Sequence, residues 1–224
     1  PQQQPQPQQQ PYAYTKDPKS LNKLLIFMLW VSLAMEIVAL LGDFSQLSLL
    51  SRDFTDVEAD ANDSRQMMIG GIYLLVFIVT GIVFLKWIHR ANVNARGFGA
   101  QGMTHTPGWA VGWFFIPIFS LFRPYQAMKE LWKVSQDPTD WQTREGGALL
   151  SGWWALWIIS NILGQVTMRM NPDTIEKLKT LTTTSIASEI IGVVLCIVAM
   201  AMVKTISRWQ GELVGGAALQ ASRL

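Results

Sequence analysis

The chain has 224 residues, half of them hydrophobic and only 15% charged, with a formal net charge of +2. So small an excess, with no basic patch interleaved with aromatics outside the apolar runs, argues against nucleic acid as a partner. The single cysteine, Cys196, rules out an intrachain disulfide and a zinc cluster, so neither a metal site nor a cofactor is expected.

Residues 1–10 are almost purely Pro and Gln. Such a composition buries no apolar surface, and 1–20 is expected to be a disordered cytoplasmic tail. Four apolar runs follow, at 24–41, 67–85, 149–168 and 181–203. Each supplies roughly the 20 residues a helix needs to cross about 30 Å of hydrocarbon. The first run follows Lys16, Lys19 and Lys23 without a small-residue cleavage site, and reads as an uncleaved signal anchor.

Residues 42–66 read as a polar loop with six acidic and two basic side chains, whereas 86–101 holds Lys86, Arg90 and Arg96 and no acid. That alternation places the N-terminus in the cytoplasm. A shorter apolar segment, 109–122, contains Pro117 and is followed by Arg123, Lys129, Glu130 and Lys133. Fourteen helical residues rise only about 21 Å, and prolonging the helix would carry those charges into lipid. A re-entrant segment, wrapped by neighbouring helices, is therefore expected. It leaves thirteen of the eighteen Lys and Arg on the cytoplasmic side, with both termini.

After Arg123, Pro124 suits a helix start, and Tyr125, Met128, Leu131 and Trp132 recur opposite Lys129, Glu130 and Lys133. This predicts an amphipathic helix in the inner interface, stopped at Asp137-Pro138. The sequence Asn171-Pro172-Asp173 signals the start of a last helix running to about Arg208. The expected fold is all-α: an integral membrane bundle of four transmembrane helices plus a re-entrant or interfacial helical hairpin. The membrane domain spans 21–210, with the re-entrant segment at 107–135 and a flexible tail at 211–224.

Two groups of residues carry functional expectations. Glu36 and Glu189 are carboxylates inside apolar runs, read as hydrogen-bonded structural carboxyls or, if they face one another, as an ion or proton site. On the inner side, Arg90, Asn94, Trp109, Trp113, Arg123, Tyr125, Glu130 and Trp154 are expected to form a polar and aromatic cluster, whose polar members, with Asn92, tie the hairpin to the helix ends or else hold an anionic lipid headgroup. All ten tryptophans fall on that side, which suggests anchoring and packing of the hairpin by bulky rings or, as the alternative, an aromatic-walled cavity for a lipid or quinone. His89 and His105, without carboxylate neighbours in sequence, read as ordinary interfacial histidines. Ser160-x-x-x-Gly164 and Ser188-x-x-x-Gly192 suggest close packing of the last two spans. No nucleophile, Walker or dinucleotide motif is present, so no catalytic residue is assigned and the chain is read as non-enzymatic.

Four blocks are distinctive together: Trp87-Ile88-His89-Arg90-Ala91-Asn92-Val93-Asn94-Ala95, Pro107-Gly108-Trp109-Ala110-Val111-Gly112-Trp113-Phe114-Phe115-Ile116-Pro117, Arg123-Pro124-Tyr125-Gln126-Ala127-Met128-Lys129-Glu130-Leu131-Trp132 and Gly152-Trp153-Trp154-Ala155-Leu156-Trp157. Over 67–208 the chain resembles a bacterial multi-pass membrane family catalogued as domain of unknown function 4328. The resemblance implies no agreed activity or cofactor. It does imply that Arg90, Asn94, Pro117, Arg123, Pro124, Tyr125 and Glu130 belong to one unit, and His89 stands where the family more often has an aromatic. The reading is an accessory, assembly or scaffold subunit of the bacterial inner membrane, with the lipid bilayer and protein partners or a second copy around it. The alternatives are a small proton or cation transporter or channel, and a lipid- or quinone-binding protein.

Overall fold

The structure is a computed structural model that describes residues 12–221, the last five by backbone alone. The Pro/Gln run 1–10 and the end of the chain beyond residue 221 lie outside the described residues. Six α-helices follow one another: α1 (Lys19–Leu50), α2 (Asp56–Gly97), α3 (Pro107–Gly112), α4 (Arg123–Gln136), α5 (Ala148–Arg169) and α6 (Ile175–Ala221). Four of them, α1, α2, α5 and α6, are long and apolar enough to cross a membrane. At 1.5 Å per residue α2 and α6 rise about 63 and 70 Å, so both run well past a hydrocarbon layer.

The supposed loop at 42–66 is helical apart from a short turn at 51–55. Thr55 caps α2 there in a reciprocal box with Glu58, and Asp56 and Glu58 lie in the first turn, where the helix dipole favours acids. Polarity suggested a loop. In the structure Asp43, Gln46, Asn62 and Gln66 bond across α1 and α2, while Asp53, Asp56, Asp60 and Asp63 stay exposed on helix or turn. At the other extremity α6 continues to Ala221, through glycines that were expected to form a flexible tail. Each Gly costs about 1 kcal/mol in a helix, but extending an existing helix adds one backbone bond per residue.

Along most of their length the spans pack in the order α2–α1–α6–α5, with α1 between α2 and α6, and the row curls so that α2 and α5 meet through Phe84 and Trp153. The α3–α4 hairpin closes one end of the row by touching α2, α5 and α6. Below, "hairpin end" denotes this end and "turn end" the opposite one, at 51–55. The densest core is at the hairpin end, where Leu25, Ile88, Met128, Leu131, Leu150, Met202 and Ile206 are fully buried. Along the spans the outward faces remain apolar, as at Leu75, Phe77, Ile162 and Ile197, which suits lipid contact.

Residues 12–18 are not a loose tail. Asn94 receives the Lys16 amide through Oδ1 (2.9 Å) and donates through Nδ2 to the Lys16 carbonyl (3.0 Å). Arg90 donates to the Asp17 carbonyl at 2.6 Å, and Tyr12 and Tyr14 pack on Phe98. Thr15 lies over Gly97, where any side chain would collide with its hydroxyl. A strap at 12–18 thus binds the start of α1 to the end of α2.

The hairpin turns within 113–122 through two short 3₁₀ segments. Ile118 has φ 68° and ψ −53°, and the Phe119 amide donates to the Pro117 carbonyl at 2.8 Å, which defines a γ-turn rarely taken by a β-branched residue. Neighbouring helices do not wrap this turn as expected: Phe115, Ile118 and Leu121 are exposed. Further backbone bonds close within the turn, from the Ser120 amide to Ile116, Leu121 to Ile118 and Phe122 to Phe119.

Candidate functional site

Two polar regions stand out, one inside the row of spans and one at the hairpin end. The first is a seam between α1, α2 and α6. On α1 it follows Ser32, Glu36, Asp43 and Gln46, a spacing that keeps one helical face. From mid-helix toward the turn end, Ser32 Oγ lies 2.9 Å from Thr80 Oγ1 and Tyr73 Oη donates to Glu36 Oε1 at 2.8 Å. Gln66 donates to Asp43 (3.1 Å), Asn62 to Gln46 Oε1 (3.3 Å) and Gln46 Nε2 to Thr182 Oγ1 (2.8 Å). Arg65 closes this end by donating to Asn62 Oδ1 at 2.6 Å.

Glu36 and Glu189 reach the same seam. A side-chain carbon on Gly192, one turn from Glu189, would fall 2.5–2.6 Å from the Glu36 carboxyl, so the missing Cβ is what lets α6 seat on that group. Glu189 also approaches Asp43, which the sequence had placed in a loop, and its Oε2 is buried without a bond. None of these three carboxylates has an ion pair among the described residues. A cavity of about 30 Å³ beside Glu36 and Tyr73 has room for about one water. Toward the hairpin end polarity stops at Ser32 and Thr80, and Leu25, Leu29, Val83 and Val203 fill the interior. The seam is blind at that end. Gly192 faces α1 rather than α5, and Gly164 meets nothing within 4 Å, so the small-residue pairs do not join the last two spans as expected.

At the hairpin end the predicted cluster separates into four contacts. Arg90 and Asn94 hold the strap, not the hairpin. Trp109 stacks on Trp113 at 4.6 Å, with the Arg123 guanidinium 5.4 Å from the Trp113 ring centre. Tyr125 bonds Ser151 across 3.1 Å and packs near Trp154. Glu130 stands apart from all three. The rings pack on one another rather than around a hollow: Trp87, Phe84, Trp153, Trp154, Trp157 and Phe114 form a continuous series linking α2, α5 and the hairpin. Neither the cleft lined by Lys129 and Lys133 nor the small cavity beside Glu36 is walled by tryptophan.

Sequence spacing put Glu130 on the solvent face of α4 and left His105 without a carboxylate, and both expectations need correction. Both residues are buried, at 6% and 7% exposure. Glu130 accepts the Thr104 amide (2.5 Å) and the His105 amide (3.0 Å), and faces His105 Nδ1 at 3.3 Å. Burial pushes the Glu130 carboxyl up, but the bonds from His105 and the two amides outweigh it and hold it below the ordinary carboxylate value. From the other side Arg96 donates to the Met103 and His105 carbonyls. The segment entering α3 is therefore clamped between α2 and α4. Twenty-five residues separate His105 from Glu130, and no local pattern links them.

The apolar face of α4 lies against protein instead of lipid. Trp132 meets Trp209 at 4.7 Å, and Gln210 of α6 donates to both the Ala91 carbonyl and Ser135 Oγ at 3.1 Å. Among the described residues no group of three or more His, Cys, Asp or Glu could hold a metal ion. The geometry offers a carboxylate-lined seam and a rigidly tied hairpin platform.

No curated protein and no solved structure matches the chain. Residues 51–208, well over half of it, match the family described as Domain of unknown function (DUF4328), from the turn before α2 to the far part of α6, and the protein belongs to that family.

Proposed function

We propose that this is a non-enzymatic protein of the bacterial inner membrane, with both termini cytoplasmic, serving as an accessory, assembly or scaffold subunit of a membrane complex. The observation that supports this reading best is the use made of polar groups at the hairpin end. Arg90, Asn94, Arg96, Glu130 and Gln210 are engaged in bonds that fix one segment against another. Side chains engaged in this way hold shape, and a fixed shape is what a scaffold offers its partners. Extraction in mild detergent followed by light scattering tests it: the expected result is an assembly well above the 25.1 kDa of one chain. A monodisperse single chain would overturn it.

A second reading, a proton or cation transporter or channel, is favoured by the gathering of Glu36, Asp43 and Glu189 in one seam. The apolar stretch beyond Ser32 and Thr80 weighs against continuous passage and in favour of a site loaded from the turn end alone. Flux measured in liposomes with wild type and with Glu36→Gln plus Glu189→Gln separates the two. A wild-type flux abolished by the double change supports transport; no wild-type flux discards it.

A further inference from the structure

We propose that the cleft between α4 and the 142–146 segment binds a phosphate-bearing anion, whether the headgroup of an anionic lipid or a free phosphate. The cleft has a volume of about 430 Å³ and is lined by Lys129, Lys133, Thr143, Arg144, Glu145 and Gly146, among others. That is room for a phosphate with its ester group. Lys129 and Lys133 stand one helical turn apart, and neither has a carboxylate partner in the ion pairs among the described residues. Arg144 is held by Asp137 at 2.7 Å, which fixes its position while its charge remains at the rim. Three cations face two acids, Glu145 and the Asp137 that holds Arg144, so Lys129 and Lys133 are the cations without a carboxylate of their own.

The lysines are also positioned. Lys133 Nζ donates to the Gln142 carbonyl at 3.3 Å. The Lys129 stem runs so close to Gly146 that a Cβ there would lie 3.0–3.4 Å from three of its carbons. Side chains restrained in this way lose less rotamer freedom on binding an anion. The N-terminus of α5 follows directly: Gly147 offers no side-chain cap, and the first turn holds no acid, so its positive end adds to the field without carrying the site.

Position favours a lipid source. Lys129 is seven residues past Phe122, no more than about 10 Å along α4 from the exposed apolar turn. Gly146 lies two residues before the apolar span of α5 begins. A cleft bounded on both sides by membrane-entering segments lies at headgroup level, where basic pockets meet anionic lipids.

The test uses the full chain in nanodiscs of phosphatidylcholine containing a minority of phosphatidylglycerol, with co-retained lipid read by native mass spectrometry. Wild type is expected to retain phosphatidylglycerol over phosphatidylcholine about tenfold beyond their ratio in the disc, equivalent to about 1.4 kcal/mol. Lys129→Gln with Lys133→Gln abolishes the preference. Lys129→Arg with Lys133→Arg keeps it, as does Lys177→Gln with Lys179→Gln at the turn end. In a second arm inorganic phosphate is titrated calorimetrically into protein in pure phosphatidylcholine discs. Saturable heat lost in the Lys-to-Gln pair, without lipid enrichment, supports the same site with a soluble source. The absence of both enrichment and saturable heat overturns the proposal, as does a Lys-to-Gln pair indistinguishable from wild type.

Discussion

Glu130 accepts two backbone amides and faces His105 from inside the hairpin end, where its charge replaces water as the partner of those donors. Its carboxyl is held below the ordinary carboxylate value of about 4.3, so the unfolded chain binds the proton more readily than the folded one. The resulting stability is fully present above that ordinary value and is lost as pH falls through the lower folded value. Glu130→Gln should cost about 1–3 kcal/mol near neutral pH, because one acceptor becomes a donor aimed at an amide. The cost should shrink on acidification below about pH 4. Unfolding midpoints in detergent across pH check this, and parallel profiles for wild type and variant would remove Glu130 from the account. Asn94→Ala should free Lys16 at a similar cost of about 1–3 kcal/mol, read as faster amide exchange and earlier proteolysis within 12–18.

Among the elements, the hairpin turn and the α1–α6 contact respond oppositely to small residues. Ile118 holds a positive φ that L side chains avoid, and it is exposed, so Ile118→Gly should raise stability by about 1 kcal/mol in detergent while Ile118→Pro disrupts the turn. Gly192→Ala should lower it by at least about 1 kcal/mol, since the new carbon displaces Glu36 from Tyr73. A thermal melt that moved neither way for Gly192→Ala would mean α1 and α6 separate without strain. What the sequence revealed of these elements follows the range of the forces involved. Runs of some twenty apolar residues identify a span by themselves, and the brevity of 109–122 with Pro117 marked the hairpin. The helical course of 42–66 was hidden because Gln46 is satisfied by Asn62 and Thr182, the latter 136 residues away. The strap was hidden likewise, since Lys16 meets Asn94 across 78 positions. For the candidate seam, Glu36 and Glu189 were visible as charges in apolar runs, whereas Asp43 joined them only once α1 was known to continue past Leu41.

For the molecule as a whole, charge and architecture make one joint prediction about orientation. The hairpin end carries Arg90, Arg96, Arg123, Lys129, Lys133 and Arg144, and the turn at 51–55 precedes a run of acids. Cationic ends of spans stay cytoplasmic as a rule, so the expected orientation has the hairpin and both termini inside and the turn end outside. Single cysteines placed in a Cys196→Ser background test this with a maleimide that cannot cross the membrane. Cys196 itself is buried, which makes its replacement by the slightly smaller serine a mild change. Arg52→Cys and Lys177→Cys should react in intact cells, whereas Lys133→Cys and Arg144→Cys should react only after the membrane is broken. The reverse pattern would invert the protein. Labelling of Arg52→Cys and Lys133→Cys together from outside would mean that the hairpin crosses the bilayer, and the γ-turn at Ile118 would then have to lie within a span instead of at the deepest point of a returning loop.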